Sequence, residues 1–323
     1  MKKIITVTLN PSLDETLITR HLNLGYYNHV AGNKHLDASG RGVNVSRALA
    51  RLHVPTHAVI VLGDDTIGRA YRSLIIEEGF PTTIIRYPGP TRSDIIILDE
   101  VARSQTHIVD EDTVGPRHNI DALLEAITEI AEVDDIVVLA GNLPRETPAD
   151  VYARMTEAAH QAGAKVVIMT RDDPLQLALN AVPETIVLSQ REAESLFNYP
   201  VRTLADLKIC ARKFQDRGCI TVIGVSNDYG GAVLADIGRV WTAENTQFNF
   251  TGTDSGLIDA MLAGYLTAQL QGKGLDDAFR LGMAALSYSA GQVGNEFGTM
   301  QQIQEHEDRI AIQELPTEEQ AQT

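Results

Sequence analysis

The sequence predicts an α/β fold: a doubly wound, mostly parallel sheet with helices on both faces and a small β-rich lid. Short apolar runs alternate with helical patterns along most of the chain, which marks strands buried on both faces of a parallel sheet. Two regions, about 12–38 and about 84–112, break that alternation with strand-like pieces separated by turns. The chain of 323 residues is 44% hydrophobic, enough to bury one large core rather than remain disordered.

The first strand is "IITVTL", Ile4 to Leu9. Two lysines precede it, but its apolar run is short, alternates with Thr and meets Asn10, Pro11 and Asp14 at once, so it reads as a strand and not a signal peptide. The pieces "DETLIT", "TIIRYPG", "RSDIIILDE" and "RSQTHIVD" read as antiparallel hairpins inserted into the α/β core, forming a lid or a dimerisation clasp. Such a lid would lie over the carboxyl ends of the strands, where open α/β folds bind ligands. Further strands are expected at His57–Gly63, Asp135–Gly141, Ala164–Thr170, Thr185–Ser189 and Cys219–Val225. Helices are expected at Asn119–Val133 and at Thr147–Gly163, the second with Thr147 before Pro148 at its first position and a glycine at its end. From Gly256 to Leu270 every face is apolar or small, the mark of a buried helix. One domain over 1–315 follows, with the polar residues 316–323 as a disordered tail.

Composition excludes several classes of function. A formal charge of −16 argues against coating a polyanion, so no nucleic-acid partner is expected and any phosphate must sit in a local pocket. Cys210 and Cys219 form neither a disulfide framework nor a zinc spacing, and no segment approaches the roughly 20 apolar residues of a membrane span. A cytoplasmic protein is expected. The first strand runs into "NPSLDE" instead of a G-x-G-x-x-G turn, and no G-x-x-x-x-G-K-[ST] loop occurs.

The chemistry-bearing stretches lie elsewhere. In "DASGRGVNVSRALARL", Asp37 to Leu52, Ser39, Gly40 and Gly42 let backbone amides approach a ligand at the start of a helix. Arg41 and Asn44 project from one side of that first turn, and amides, guanidinium and carboxamide together suit a phosphate or polyol. The same stretch would also serve as a Gly-rich entry to a packing helix. Asp14 leaves the first strand where the core hands over to the lid, and a carboxylate there accepts from sugar hydroxyls. Arg92 in "PTRSD" could supply a second cation for a phosphate. Asp259 stands in the first turn of the buried helix, either as an acid stabilised by free amides or as a base beside amides that bind a transferring phosphoryl group. His35 and His107 receive no role.

Taken together, "NPSLDET", "DASGRGVNVSRALARL", "PTRSD" and "GLIDAMLAGYL" resemble the PfkB branch of the ribokinase-like carbohydrate kinases, most of all the 1-phosphofructokinase and tagatose-6-phosphate kinase group. The resemblance covers roughly residues 4–315. It implies phosphoryl transfer from ATP, with Mg2+, to a hydroxyl of a sugar phosphate of the fructose 1-phosphate, fructose 6-phosphate or tagatose 6-phosphate type. Asp14, Ser39, Gly40, Arg41, Asn44 and Arg92 would bind the substrate, and Asp259 would be the base. Asp259 meets the family's D-x-x-x-x-G spacing to Gly264, and Asp254 does not. Gly256, Leu257 and Ile258 would form the anion hole, Ser226 and Gly231 the nucleotide turn, and Glu192 the metal-organising acid. A homodimer joined through the lid is also implied, and it would protect exposed strand edges.

The sequence departs from the family pattern at several points. Arg41 replaces a lysine, Leu257 and Ile258 bring bulk where the G-A-G-D element is small, Ser189 replaces the asparagine of N-x-x-E, and Met169 stands where an aspartate is common. These changes gather on the nucleotide side. They leave a second reading open, a PfkB-like protein that binds sugar phosphate or nucleotide without efficient turnover.

Overall fold

The computed structural model describes residues 2–32, 34–110 and 120–315. The chain begins with β1 (Ile4–Thr8), β2 (Ser12–Thr19), β3 (His35–Ser39), α1 (Arg41–Arg51), β4 (Thr56–Gly63) and α2 (Thr66–Glu77). It continues through β5 (Thr82–Tyr87), β6 (Arg92–Asp99), β7 (Ser104–Ile108), α3 (Ile120–Ile130), β8 (Ile136–Ala140), α4 (Val151–Gln161) and β9 (Lys165–Met169). Next come α5 (Asp172–Ala178), β10 (Thr185–Ser189), α6 (Gln190–Phe197), α7 (Leu204–Gln215), β11 (Thr221–Val225), β12 (Gly231–Asp236) and β13 (Arg239–Asn245). Helices α8 (Leu257–Leu270), α9 (Leu275–Ser289) and α10 (Met300–Gln304) precede β14 (Ile310–Leu315).

Ten strands form the main sheet, in the order β14-β13-β12-β11-β10-β9-β8-β1-β4-β5. From β5 to β11 neighbours are parallel, and β12, β13 and β14 add an antiparallel margin that the sequence patterns did not bring out. Side chains alternate across β1: Ile5 and Val7 join the core shared with α3 to α7, and Ile4 joins the core shared with α1, α8 and α9. Strand β1 is followed in the sheet by β4 on one side and β8 on the other, so the winding reverses there and opens a crevice at the carboxyl ends.

The lid is one four-stranded sheet, β3-β2-β6-β7. Two antiparallel hairpins are present as the sequence suggested, and a parallel β2–β6 pairing joins them. The piece "TIIRYPG" does not belong to it. Strand β5 instead extends the main sheet beside β4, with Ile84 and Ile85 opposite Ile60 and Val61, and the lid's second excursion starts at Arg92. Helix α4 begins at Val151 rather than at Thr147, because the buried Thr147 hydroxyl finds no partner and Pro148 instead accepts from Val151 in a turn. The start of the helix expected from Asn119, the lid's last residues to 112 and the tail 316–323 lie outside the described residues. Both cysteines are free and buried, and among the described residues no helix is long and apolar enough to cross a membrane.

Candidate active site

A cleft of about 370 Å³ opens at the carboxyl ends of β1, β8 and β10, lined by Thr8, Ala140 and Ser189 at its floor. It gathers Asp14, Ser39, Gly40, Arg41, Asn44, Arg92, Glu192, Gly256, Leu257, Ile258 and Asp259, which the chain spreads over more than two hundred positions. Two helices start here without a side-chain cap, α1 after Gly40 and α8 after Gly256. Apart from Val43 N, which Thr8 Oγ holds, their first-turn amides are left for a ligand, and such an N-terminus favours an anion. Gly42 permits the close seating of α1: a Cβ there would stand 2.5 Å from the Thr8 hydroxyl, which already accepts from Val43 N at 3.0 Å. Gly256 takes a φ of 78°, a left-handed turn that aims α8 at the cleft.

Asp259 is only 3% exposed. Its carboxylate accepts from Asn44 Nδ2 at 3.0 Å and from Arg41 Nε at 3.3 Å, and Arg41 Nη1 reaches on to Glu192 Oε1 at 3.1 Å. Burial pushes the Asp259 carboxyl above its ordinary range, while Arg41 and Asn44 pull it back. Glu192 is fixed from the other side by a capping box in which Ser189 N donates to Oε2 at 2.6 Å and Glu192 N donates to Ser189 Oγ at 3.2 Å. Ser189 thus performs the helix-capping role that an asparagine could also fill.

On the lid side, Asp14 lies across from Asp37 on one neighbouring strand and Asp94 on the other. Arg47 pairs with Asp37 at 3.2 Å and Arg92 with Asp94 at 2.6 Å, whereas Asp14 accepts only neutral hydroxyls, Ser12 Oγ at 2.6 Å among them. Burial lifts the Asp14 carboxyl to about 6, those hydroxyls oppose it, and the two flanking carboxylates add to it. Two buried polar atoms in this cleft have no protein partner, Asn44 Oδ1 and Arg92 Nε. An acceptor and a charged donor left open in the same cleft suit a ligand that carries both hydroxyls and negative charge.

Leu257 is 1% exposed and rests in the hydrophobic core with Met261, and Ile258 packs partly against the same core. The Leu257 bulk is thus taken up by the core, while Ile258 stays half-buried at the cleft lining. Met169, likewise fully buried, belongs to that core and lies outside the cleft. Ser226 and Gly231 are not in this cleft. They line a neighbouring pocket of about 770 Å³ together with Thr203, Leu204, Asn245 and Phe248. The turn between β11 and β12 is tied by Ser226 Oγ, which accepts from Gly231 N at 3.0 Å, and by Asn227 N donating to Gln190 Oε1 at 3.1 Å. Sequence patterns gave no sign of Tyr229, which lines the cleft from this turn, or of Asn142. They also left His107 unassigned. Its Nε2 lies 3.2 Å from Asp254 Oδ1, and Asp254 N donates to Gln105 Oε1 at 3.3 Å, so strand β7 of the lid is fastened to the loop before α8. Asp254 is engaged by the lid, while Asp259 faces Asn44 and Arg41.

A doubly wound sheet whose strand ends hold a buried acid between two amide-bearing helix starts defines a phosphotransferase, in which positioning and charge stabilisation carry the chemistry. Comparison with known proteins gives the same class. A model of the pfkB family of carbohydrate kinases matches residues 7–301, and the chain belongs to that family. It is 28% identical over 312 residues to a 1-phosphofructokinase of Bacillus subtilis, covering 97% of this chain and all of that one. A 1-phosphofructokinase of Xanthomonas campestris pv. campestris is 30% identical, with 87% of each chain covered. Among solved structures, phosphofructokinase-2 from Escherichia coli in complex with substrates and products superposes with a TM-score of 0.86 at 23% identity, covering 95% of this chain and 98% of that one.

Proposed function

We propose that the protein transfers the γ-phosphoryl group of ATP to a hydroxyl of a sugar phosphate of the fructose 1-phosphate, fructose 6-phosphate or tagatose 6-phosphate type. The observation that carries this reading is the uncapped start of α8, with Asp259 in its first turn, facing the same cleft as Asp14, Arg92 and Asn44. Asp259 would take the proton from the acceptor hydroxyl, and burial, which lifts its carboxyl above the ordinary range, makes it a stronger base than a solvated carboxylate. The amides of Gly256, Leu257 and Ile258 would receive the charge on the transferring group. Asp14 and the open Oδ1 of Asn44 would accept from sugar hydroxyls, while Arg92, Arg41, Ser39 and Gly40 would hold the substrate's phosphate. Ser226 and Gly231 would border the nucleotide in the second pocket.

Glu192 fits a role toward Mg2+. Among the described residues no group of three or more ligating side chains gathers, and a cleft-lining carboxylate beside nucleotide phosphates is the usual way this ion is bound. When bound it would neutralise charge on the β- and γ-phosphates. Against a binder without turnover stands Leu257, whose bulk at the anion hole is housed in the core.

The lid carries Leu24, Tyr26 and Tyr27 at 85%, 81% and 98% exposure, an apolar group suited to a second copy of the chain, and a cytoplasmic setting suits two free thiols. The deciding experiment is an ADP-release assay with Mg-ATP against the three sugar phosphates, with Asp259→Asn as control. Turnover abolished by that change supports the reading. No turnover with any of the three sugars would refute it.

A further inference from the structure

The turn between β11 and β12 contains one residue whose side chain parts from the rest of the turn. Tyr229 holds a left-handed backbone, φ 58°, directly before Gly230 and Gly231, either of which would take such a conformation without strain. The rest of the turn, Ser226, Asn227, Asp228, Gly230 and Gly231, lines the larger pocket, whereas Tyr229 alone lines the acceptor cleft. Its ring is half-buried against the core beneath α8. Its hydroxyl sits in the field of Asp254 and Glu192 on the acidic side and Arg191 and Arg41 on the basic side, and burial pushes it up to about 12, so it stays a protonated donor.

The one turn therefore borders both pockets, the larger through its other residues and the acceptor cleft with Asp259 through Tyr229. We infer that Tyr229 is the partition between the nucleotide pocket and the acceptor cleft: its hydroxyl donates to the polyphosphate in transit, and its ring keeps water from the acceptor position beside Asp259. The inference rests on the assignment of the Ser226–Phe248 pocket to nucleotide made above.

Steady-state kinetics with Mg-ATP and the preferred sugar phosphate, together with ATP hydrolysis in the absence of sugar, test it in the full chain. Tyr229→Phe is expected to raise KM for ATP about tenfold, as loss of a hydrogen bond to a charged group does, while KM for the sugar phosphate stays within about twofold. Tyr229→Gly, which suits the left-handed backbone, is expected in addition to raise sugar-independent hydrolysis relative to kcat by about tenfold, as access of water to a desolvated site allows. Variants that leave the ATP KM and the hydrolysis ratio unchanged, or that shift both substrates equally along with the melting temperature, would overturn the partition. Gly230→Leu supplies the separate control, since a Cβ there meets nothing closer than Asp228 Oδ1 at 3.7 Å: if a side chain added at the larger pocket leaves ATP binding intact by isothermal titration, the nucleotide assignment fails and the partition with it.

Discussion

The acid at residue 259 and the acid at residue 14 are both buried, yet they are balanced in opposite ways. Asp259 has a guanidinium and a carboxamide against it, so Asp259→Asn removes the proton acceptor while Arg41 keeps Glu192 and an amide oxygen at 259 can still accept from Asn44. Turnover should drop by about 10²–10⁴-fold, with the sugar-phosphate dissociation constant nearly unchanged by titration calorimetry. Asp254→Ala should cost far less, and the reverse order would identify the wrong acid as base. Asp14 has no cation, and its pKa rises to about 6 on folding from an ordinary 3.8. The folded state then binds more protons than the unfolded state between those values. Stability from this group is greatest at low pH, falls as pH rises through that window and stays low above it. Asp14→Asn should therefore raise the melting temperature at pH 7, by the equivalent of up to about 3 kcal/mol, while weakening sugar-phosphate binding. That opposition separates a ligand-binding acid from a structural one. Asp259, Asn44, Arg41 and Arg92 were legible because their motifs keep fixed spacings. Tyr229 and His107 were not, since each acquires its neighbours only when distant segments meet.

Among the elements, those with an apolar run or a helical period could be read directly, and β1, β4, β8, β9, β10 and β11 fall within a residue or two of their expected limits. The strand errors share one cause: local pattern does not say which sheet a strand joins. Strand β5 has the composition of a lid strand but pairs with β4, and β12 to β14 become visible as a margin only through their antiparallel partners. Lid attachment is likewise a matter of neighbouring elements. His107 on β7 faces Asp254 in the loop before α8, with Asp94 on the neighbouring β6 and Asp14 one strand further on β2, and the hydrogen bond to Asp254 raises its pKa. The charged pair is present below the ordinary histidine range of about 6.5 and is lost as pH rises through the elevated value. We expect KM for the sugar phosphate to increase from pH 6.5 upward in the natural sequence, and His107→Gln to flatten that step. A pH profile indifferent to the change would mean that the lid is held by other contacts.

For the whole molecule, the charge of −16 makes self-association through polar surface costly at low salt, so a dimer must rest on apolar contact. Light scattering at micromolar concentration should give twice the 35.2 kDa chain mass, reverting to one on Leu24→Lys combined with Tyr26→Lys. A single-chain mass in the natural sequence would remove the lid from consideration as an interface. The pairing of β2 with β6 carries a different consequence. It places Ser12 beside Arg92 in register, joining two excursions that leave and re-enter the main sheet on either side of α1, β4, α2 and β5. Neither hairpin can complete the substrate wall alone, and closing so long a loop is slow compared with local pairing. Refolding should accordingly proceed in two stages. The sole tryptophan, Trp241, is buried in β13 of the main sheet and reports on the body, while sugar-phosphate binding reports on the lid. In stopped-flow refolding the tryptophan signal is expected to settle first and binding competence to follow, so that a newly made chain passes through a compact state that cannot yet hold its substrate.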